Sequence, residues 1–309
     1  MLYEYALEPA LLSNWKDFRY FTEKFGVSQG RLISRYPKHW KRMVYESLTS
    51  CGEIERKRIE DRLQKLDDRI LKRQHEWDRQ RDWLTNAEAE HSRRPFYAIL
   101  ARSNPNSRDY VLEQENISED HPLPASPKSP VIRRVAGEMA ACIALLLRAA
   151  EKILFIDPYF GPQYLRYQRP LEAFLDAILE QRQGEPPTRI EIHASDRLEA
   201  GFFKSECDRH LPKIIPEGIS VRLVQWRQKE GGEKLHNRFI LTDKGGVRFG
   251  VGLDDGDGAD GETDEVEFLG EETYKFRWAQ YASSDPAFDF VDELSIEGKR
   301  ALPGRKKPS

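Results

Sequence analysis

The chain has 309 residues, of which 39% are hydrophobic, 11% aromatic and 33% charged. That length suits one large domain or two modest ones, and apolar runs such as Ile153-Leu154-Phe155-Ile156 exclude a chain disordered throughout. The longest apolar stretch, Met139 to Leu147, is half of the roughly 20 residues a bilayer demands, so no membrane span is expected. The start, Met1-Leu2-Tyr3-Glu4, shows no secretory signal, and Cys51, Cys142 and Cys207 form no paired pattern. A reducing, cytoplasmic setting is the expectation. The net charge of −3 hides an asymmetry: residues 1–100 carry a balance of +4 and residues 249–309 a balance of −8.

Residues 10–48 predict short helices broken at Gly26 and Gly30. Within them Arg35, Lys38, His39, Trp40, Lys41 and Arg42 mix bases with aromatics, which suits contact with a nucleic-acid backbone and base stacking. A solvated helix face over a small core accounts for the same residues. From Glu53 to Glu90 there is neither Pro nor Gly, and apolar residues fall at Ile59, Leu63, Leu66, Ile70, Trp77 and Leu84. Their spacing of 4, 3, 4, 7 and 7 is a heptad seam with polar gaps at Arg73 and Gln80. It predicts a coiled-coil-like arm over 53–90 within a helical region 1–92. A helical hairpin, a dimer coiled coil and a helix packed on its own domain all fit. Residues 96–100 and 110–112 predict a β-hairpin joined by Asn104-Pro105-Asn106-Ser107. Pro122, Pro124, Pro127 and Pro130 make 116–130 an extended connector, so 93–130 is expected to be hairpin and Pro-rich connector.

Over 131–298 the pattern changes to alternating helices and strands, the mark of an α/β layered domain. Helices are predicted over 132–150, 170–181 and 202–215, and strands over 152–157, 189–194, 219–225, 238–242 and 247–251. Residues 299–309 are expected to form a basic tail. The stretch Asp254 to Glu265 holds seven acids in twelve residues, but no register fits a calcium loop, so a flexible acidic loop is expected and no metal site.

The densest chemistry lies in Glu233-Lys234-Leu235-His236-Asn237-Arg238-Phe239-Ile240-Leu241-Thr242-Asp243. On a strand, His236 and Arg238 leave the same face. A cation beside an imidazole suits a phosphate, since one neutralises the oxygens and the other attacks phosphorus or moves a proton. Gly250 and Gly252 follow, where a missing side chain lets a ligand approach the backbone. An isolated histidine near a strand also occurs as a structural residue.

His236-x-Arg238-x4-Asp243 with the trailing Gly250-x-Gly252 resembles the HxK-x4-D and GSxN motifs of the phospholipase D superfamily, and Ile153–Tyr159 is similar to that family's opening strand. The resemblance covers roughly residues 132–290. It implies a phospholipase D-like half-unit and metal-independent phosphodiester chemistry without a cofactor, and the expected fold is that half-unit behind the α-helical, coiled-coil N-terminal region read from the heptad spacing. In that chemistry His236 would be nucleophile or acid, Arg238 would bind phosphate and Asp243 would orient the motif. With a single motif per chain, the site would be completed in a homodimer, and the implied activity is that of a nuclease acting on DNA or RNA through a phospho-histidine. Arg238 stands where lysine is usual, and Val251 and Leu253 stand where serine and asparagine are usual. These departures favour the alternative of a non-catalytic binding or scaffold subunit in a multi-protein complex, such as a defence complex, with a protein partner. Phospholipid or membrane binding is a third implied role.

Overall fold

The computed structural model describes residues 1–117, 123, 129–256 and 261–301. The chain divides into two compact units, Met1–Lys128 with Gln181–Gln183, and Ser129–Glu180 with Gly184–Ser309. Among the described residues no helix is long and apolar enough to cross a membrane.

The N-terminal unit is built on five strands, β1 (Tyr3–Leu7), β2 (Arg31–Arg35), β3 (Ile70–Lys72), β4 (Ala98–Ala101) and β5 (Val111–Glu113). They lie in the order β3-β2-β1-β4-β5, and every pair is parallel. Helices α1 (Trp15–Glu23), α2 (Trp40–Ser47), α3 (Glu53–Gln64) and α4 (Trp83–Arg93) connect them. Alternation along the strands feeds two apolar layers, as a parallel sheet covered on both faces requires. Tyr5, Leu7, Ile33 and Leu100 join Phe18, Trp40, Ile59 and Leu63 in one layer. Ala6, Ile99 and Ala101 join Tyr36, Trp83 and Ala87 in the other. Two helices are started by side-chain caps: Asn14 accepts from the Asp17 amide, and Asp82 accepts from the Thr85 amide.

This architecture overturns the expected α-helical, coiled-coil N-terminal region ahead of one phospholipase D-like half-unit. The heptad seam is not one helix. Helix α3 ends at Gln64, and Leu66 and Ile70 lie on a short turn and on β3, all packed into the core of the unit. The polar gap at Arg73 is an interior ion pair. Its side chain is fully buried, 3.1 Å from the Glu4 carboxylate and 2.9 Å from that of Glu90. A spacing of 4 and 3 marks any buried helix face, so it does not separate an arm from a core helix. The expected hairpin is also absent, because β4 and β5 pair in parallel, Ile99 against Val111. Most of the Pro-rich connector, residues 118–122 and 124–128, lies outside the described residues.

The C-terminal unit is α/β with a mixed sheet of eight strands. These are β6 (Val131–Arg133), β7 (Lys152–Ile156), β8 (Arg189–Ser195), β9 (Ser220–Arg227), β10 (Phe239–Thr242), β11 (Gly245–Phe249), β12 (Thr263–Phe268) and β13 (Asp289–Glu297). Their order is β13-β9-β8-β7-β10-β11-β12-β6. Strands β7, β8 and β9 are parallel, and β10 returns antiparallel on the other side of β7, with Phe239 opposite Ile156. One face carries Leu154, Ile156, Val224, Trp226 and Leu241 against α8 (Glu271–Ala282). On the other, Phe155 stacks on Phe174 of α6 (Leu165–Leu179) with ring centres 5.6 Å apart, and α5 (Ala136–Ala149) adds a mostly apolar helix. Helix α7 (Ala200–His210) links β8 to β9. Lys299 and Arg300, expected to begin a free basic tail, are tied down: Arg300 pairs with Glu172 and Asp176, and its amide donates to Ile215. The rest of the expected tail, 302–309, lies outside the described residues.

Candidate anion site at one edge of the mixed sheet

The carboxyl ends of β7, β8, β9 and β11 and the amino end of β10 meet at one edge of the sheet. In open α/β sheets ligands sit at such an edge, where the direction of chain winding changes. The loop after β7, Asp157-Pro158-Tyr159, is held from two sides. The Asp157 carboxylate is 2% exposed and accepts the amides of Tyr159 and Leu253, each at 2.9 Å. Burial pushes its carboxyl above the ordinary value, against the pull of those two amides and of the Arg238 charge. Ser195, at the end of β8, donates its amide and hydroxyl to the Pro158 carbonyl, at 3.2 and 2.5 Å.

Tyr159 is 41% exposed and carries two guanidinium groups on its ring, Arg197 at 4.5 Å and Arg238 at 4.8 Å from the centre. Stacking of this kind leaves the N–H edges of a guanidinium available for an anion. Among the described residues neither arginine has a carboxylate within ion-pair distance, and the buried Nε of Arg238 has no hydrogen-bond partner. Asp196, next to Arg197, is occupied by Arg227 at 2.7 Å.

His236 lies in the segment before β10, exposed, with ring Nδ1 3.1 Å from the Lys234 carbonyl. A carbonyl only accepts, so Nδ1 is the donor in this contact, and in the neutral form of the ring the lone pair is then on Nε2. Asp243 is not at this edge. It sits past the far end of β10, where one carboxylate oxygen accepts the amides of Glu151 and Lys152 at 2.7 and 3.0 Å. With the four residues of β10 between them, Asp243 and Arg238 are five steps apart, about 16 Å of extended chain. Asp243 thus fixes β10 against the start of β7.

Gly250 and Gly252 are packed by carboxylates. A Cβ on Gly250 would lie 2.8 Å from an oxygen of the buried Asp264, and one on Gly252 would collide with the Asp254 carboxylate. Val251 is 47% exposed and Leu253 is buried. Asp254 is paired with Arg134 at 3.0 Å and faces Arg166 at 3.8 Å, and Arg169 grips Asp255 with two bonds of 2.6 and 2.8 Å. The beginning of the expected acidic loop is therefore a neutralised clamp. Residues 257–260 of it lie outside the described residues. Among the described residues no group of three or more His, Cys, Asp or Glu side chains is placed to hold a metal ion.

In the basic, aromatic stretch of the N-terminal unit, Lys38, His39 and Arg42 are exposed and Trp40 is buried. Trp40 is fully buried and donates its indole N–H to the Leu7 carbonyl at 2.6 Å, so it offers no face to a base. Lys41 pairs with Asp67, Arg42 with Glu46, and Arg35 donates to the Lys38 carbonyl. The Lys38 amide meets a ring nitrogen of His75 at 2.9 Å, and His39 packs edge-on against Trp77.

Sequence reasoning missed Arg197 and the role of Tyr159. Their signal was present as Ser195-Asp196-Arg197, a polar triplet at the end of a buried strand, and as the tyrosine two residues after Asp157. Comparison with protein-family models and with curated proteins finds no match to this chain.

Proposed function

We propose that the C-terminal unit is a phosphodiester-binding unit and acts as a metal-independent phosphodiesterase on nucleic acid in the cytoplasm, with His236 as nucleophile or acid and Arg238 and Arg197 as phosphate ligands. The observation that carries this function is the pair of guanidinium groups on Tyr159, with no carboxylate within ion-pair distance of either among the described residues. The resemblance of His236–Asp243 to the phospholipase D motif adds to it. In the reaction, the Nε2 lone pair of His236 attacks phosphorus and the bond to the leaving oxygen breaks. That oxygen takes a proton from His236 of a second copy of the chain. Water, deprotonated by the second imidazole, then displaces the first from phosphorus and restores the enzyme. Asp243 supports the motif from a distance by locking β10 to β7.

The test is cleavage of bis(p-nitrophenyl) phosphate and of a labelled oligonucleotide in the presence of EDTA. Turnover that disappears in His236→Ala is expected; undiminished turnover in that variant refutes the mechanism. A non-catalytic binding subunit is the second reading, favoured by Val251 and Leu253, apolar residues at the positions where the resembled motif carries serine and asparagine. Oligonucleotide binding without product, weakened by Arg197→Ala and Arg238→Ala, would identify it.

A further inference from the structure

The N-terminal unit holds a cleft between α1 and the end of α3 whose volume is about 330 Å³, within the range of about 300–1,000 Å³ of small-molecule sites. Its floor is apolar, from the buried Phe18 and Leu66. Its rim is cationic, from Arg19, Arg62, Lys65 and Arg69, with Glu23 as the one acid. Arg19 is tied to Glu23 at 3.1 Å. Arg69 is anchored by its donation to the Thr22 carbonyl at 2.7 Å and lies 3.7 Å from Asp68. Arg62 and Lys65 have no carboxylate within ion-pair distance among the described residues. A cation in the last turn of a helix complements the helix dipole. That accounts for Arg62 but not for Lys65 and Arg69 beyond the helix end, nor for Arg19 on α1. Like charges three residues apart repel, so the bare cleft concentrates positive charge that an anion would relieve.

One wall is aromatic. Trp15 lies parallel to Phe18, with ring centres 6.2 Å apart and planes at 13°, and its backbone amide is fixed by the Glu55 carboxylate at 2.6 Å. Its indole N–H makes no hydrogen bond among the described residues. A held aromatic plane beside three cations matches a ligand with a flat heterocycle and a diphosphate tail, which carries about two to three negative charges.

We infer that this cleft binds a nucleoside diphosphate, with its phosphates on Arg62, Lys65 and Arg69 and its base on Trp15. The site is separate from the sheet-edge site and does not depend on what that site does. The probe is ADP, measured by equilibrium dialysis on the full chain at low salt. Binding is expected for ADP and not for adenosine. Arg62→Ala with Lys65→Ala should weaken it by about tenfold or more, the loss expected for charge-assisted bonds. Both residues are exposed, so this variant should fold as the wild type does, and circular dichroism checks that. Trp15→Leu should weaken ADP more than pyrophosphate. No ADP binding at millimolar concentration, or equal affinity in the double variant, would each overturn the site. Pyrophosphate bound as tightly as ADP would overturn the nucleoside part.

Discussion

Replacing Arg73 by alanine tests the architecture of the N-terminal unit directly. On an exposed coiled-coil arm the change would cost no more than about 0.5 kcal/mol, as surface substitutions do. In the structure the guanidinium is fully buried between Glu4 on β1 and Glu90 on α4, lies 4.0 Å from the centre of the Phe96 ring, and donates to the Arg94 carbonyl. Removing one partner of a buried ion pair costs about 3–5 kcal/mol. Here Glu90 keeps Arg93 at 2.9 Å and Glu4 keeps the Ser34 hydroxyl at 2.7 Å, which places the loss at the lower end, about 3 kcal/mol. With a urea slope of about 1–3 kcal/mol per molar, the midpoint should fall by at least about 1 M. Tryptophan fluorescence reports it, since Trp15, Trp40, Trp77 and Trp83 all lie in this unit. The pH dependence has a definite sign. Burial raises the Glu90 carboxyl, but the hydrogen bonds from Arg93 and Arg73 outweigh it and hold the group below its ordinary 4.5. A depressed carboxylate stabilises the fold above 4.5 and loses that contribution as pH falls through its folded value. The gap between wild type and variant should therefore narrow in acid. A midpoint shift worth less than about 0.5 kcal/mol would refute the buried placement of Arg73.

Two further outcomes concern the C-terminal unit. Asp157→Asn leaves one acceptor where the Tyr159 and Leu253 amides need two, so it should destabilise by about 1–3 kcal/mol, read from the unfolding transition of Trp226 and Trp278. His193 is fully buried, with one ring nitrogen accepting from Trp226 at 2.8 Å and the other 3.0 Å from Glu191. Burial lowers its affinity for a proton, although Glu191 pulls the other way, so the folded protein binds that proton less than the unfolded chain does. Stability is full above the ordinary value of 6.5 and falls as pH drops below it. Thermal unfolding at pH 7.5 and 5.5 should show the loss, and His193→Gln should flatten it; an equal slope in the variant would exclude His193 as the source.

The α/β character of the C-terminal unit was legible because its buried strands are short, continuous apolar runs separated by amphipathic helices. Residues 152–157, 189–194 and 219–225 were placed within two residues of β7, β8 and β9. The N-terminal sheet was illegible for the opposite reason. Strands β1 and β2 carry Glu4, Arg31 and Ser34 in the interior, and partner side chains such as Arg73 neutralise what periodicity scores as solvent-facing. Tertiary pairing across about 70 residues has no local signature. At the sheet edge, His236 and Arg238 could be picked out by residue type. The distance of Asp243 from them, and the convergence of Arg197 on Tyr159, depend on which strands become neighbours.

Strand order also sets a timetable. The central strand of the N-terminal sheet, β1, pairs with β2 and β4, and the last strand β5 ends at Glu113. In the other sheet β6 waits for β12, about 130 residues later in the chain. At a synthesis rate of about 5–20 residues per second, the 196 residues after Glu113 take about 10–40 s to emerge. Domains of mixed α/β type fold well within that interval. The first unit can be complete while the ribosome is still making the second, whose edge strand and Arg134 clamp close only when Glu262 to Phe268 have arrived.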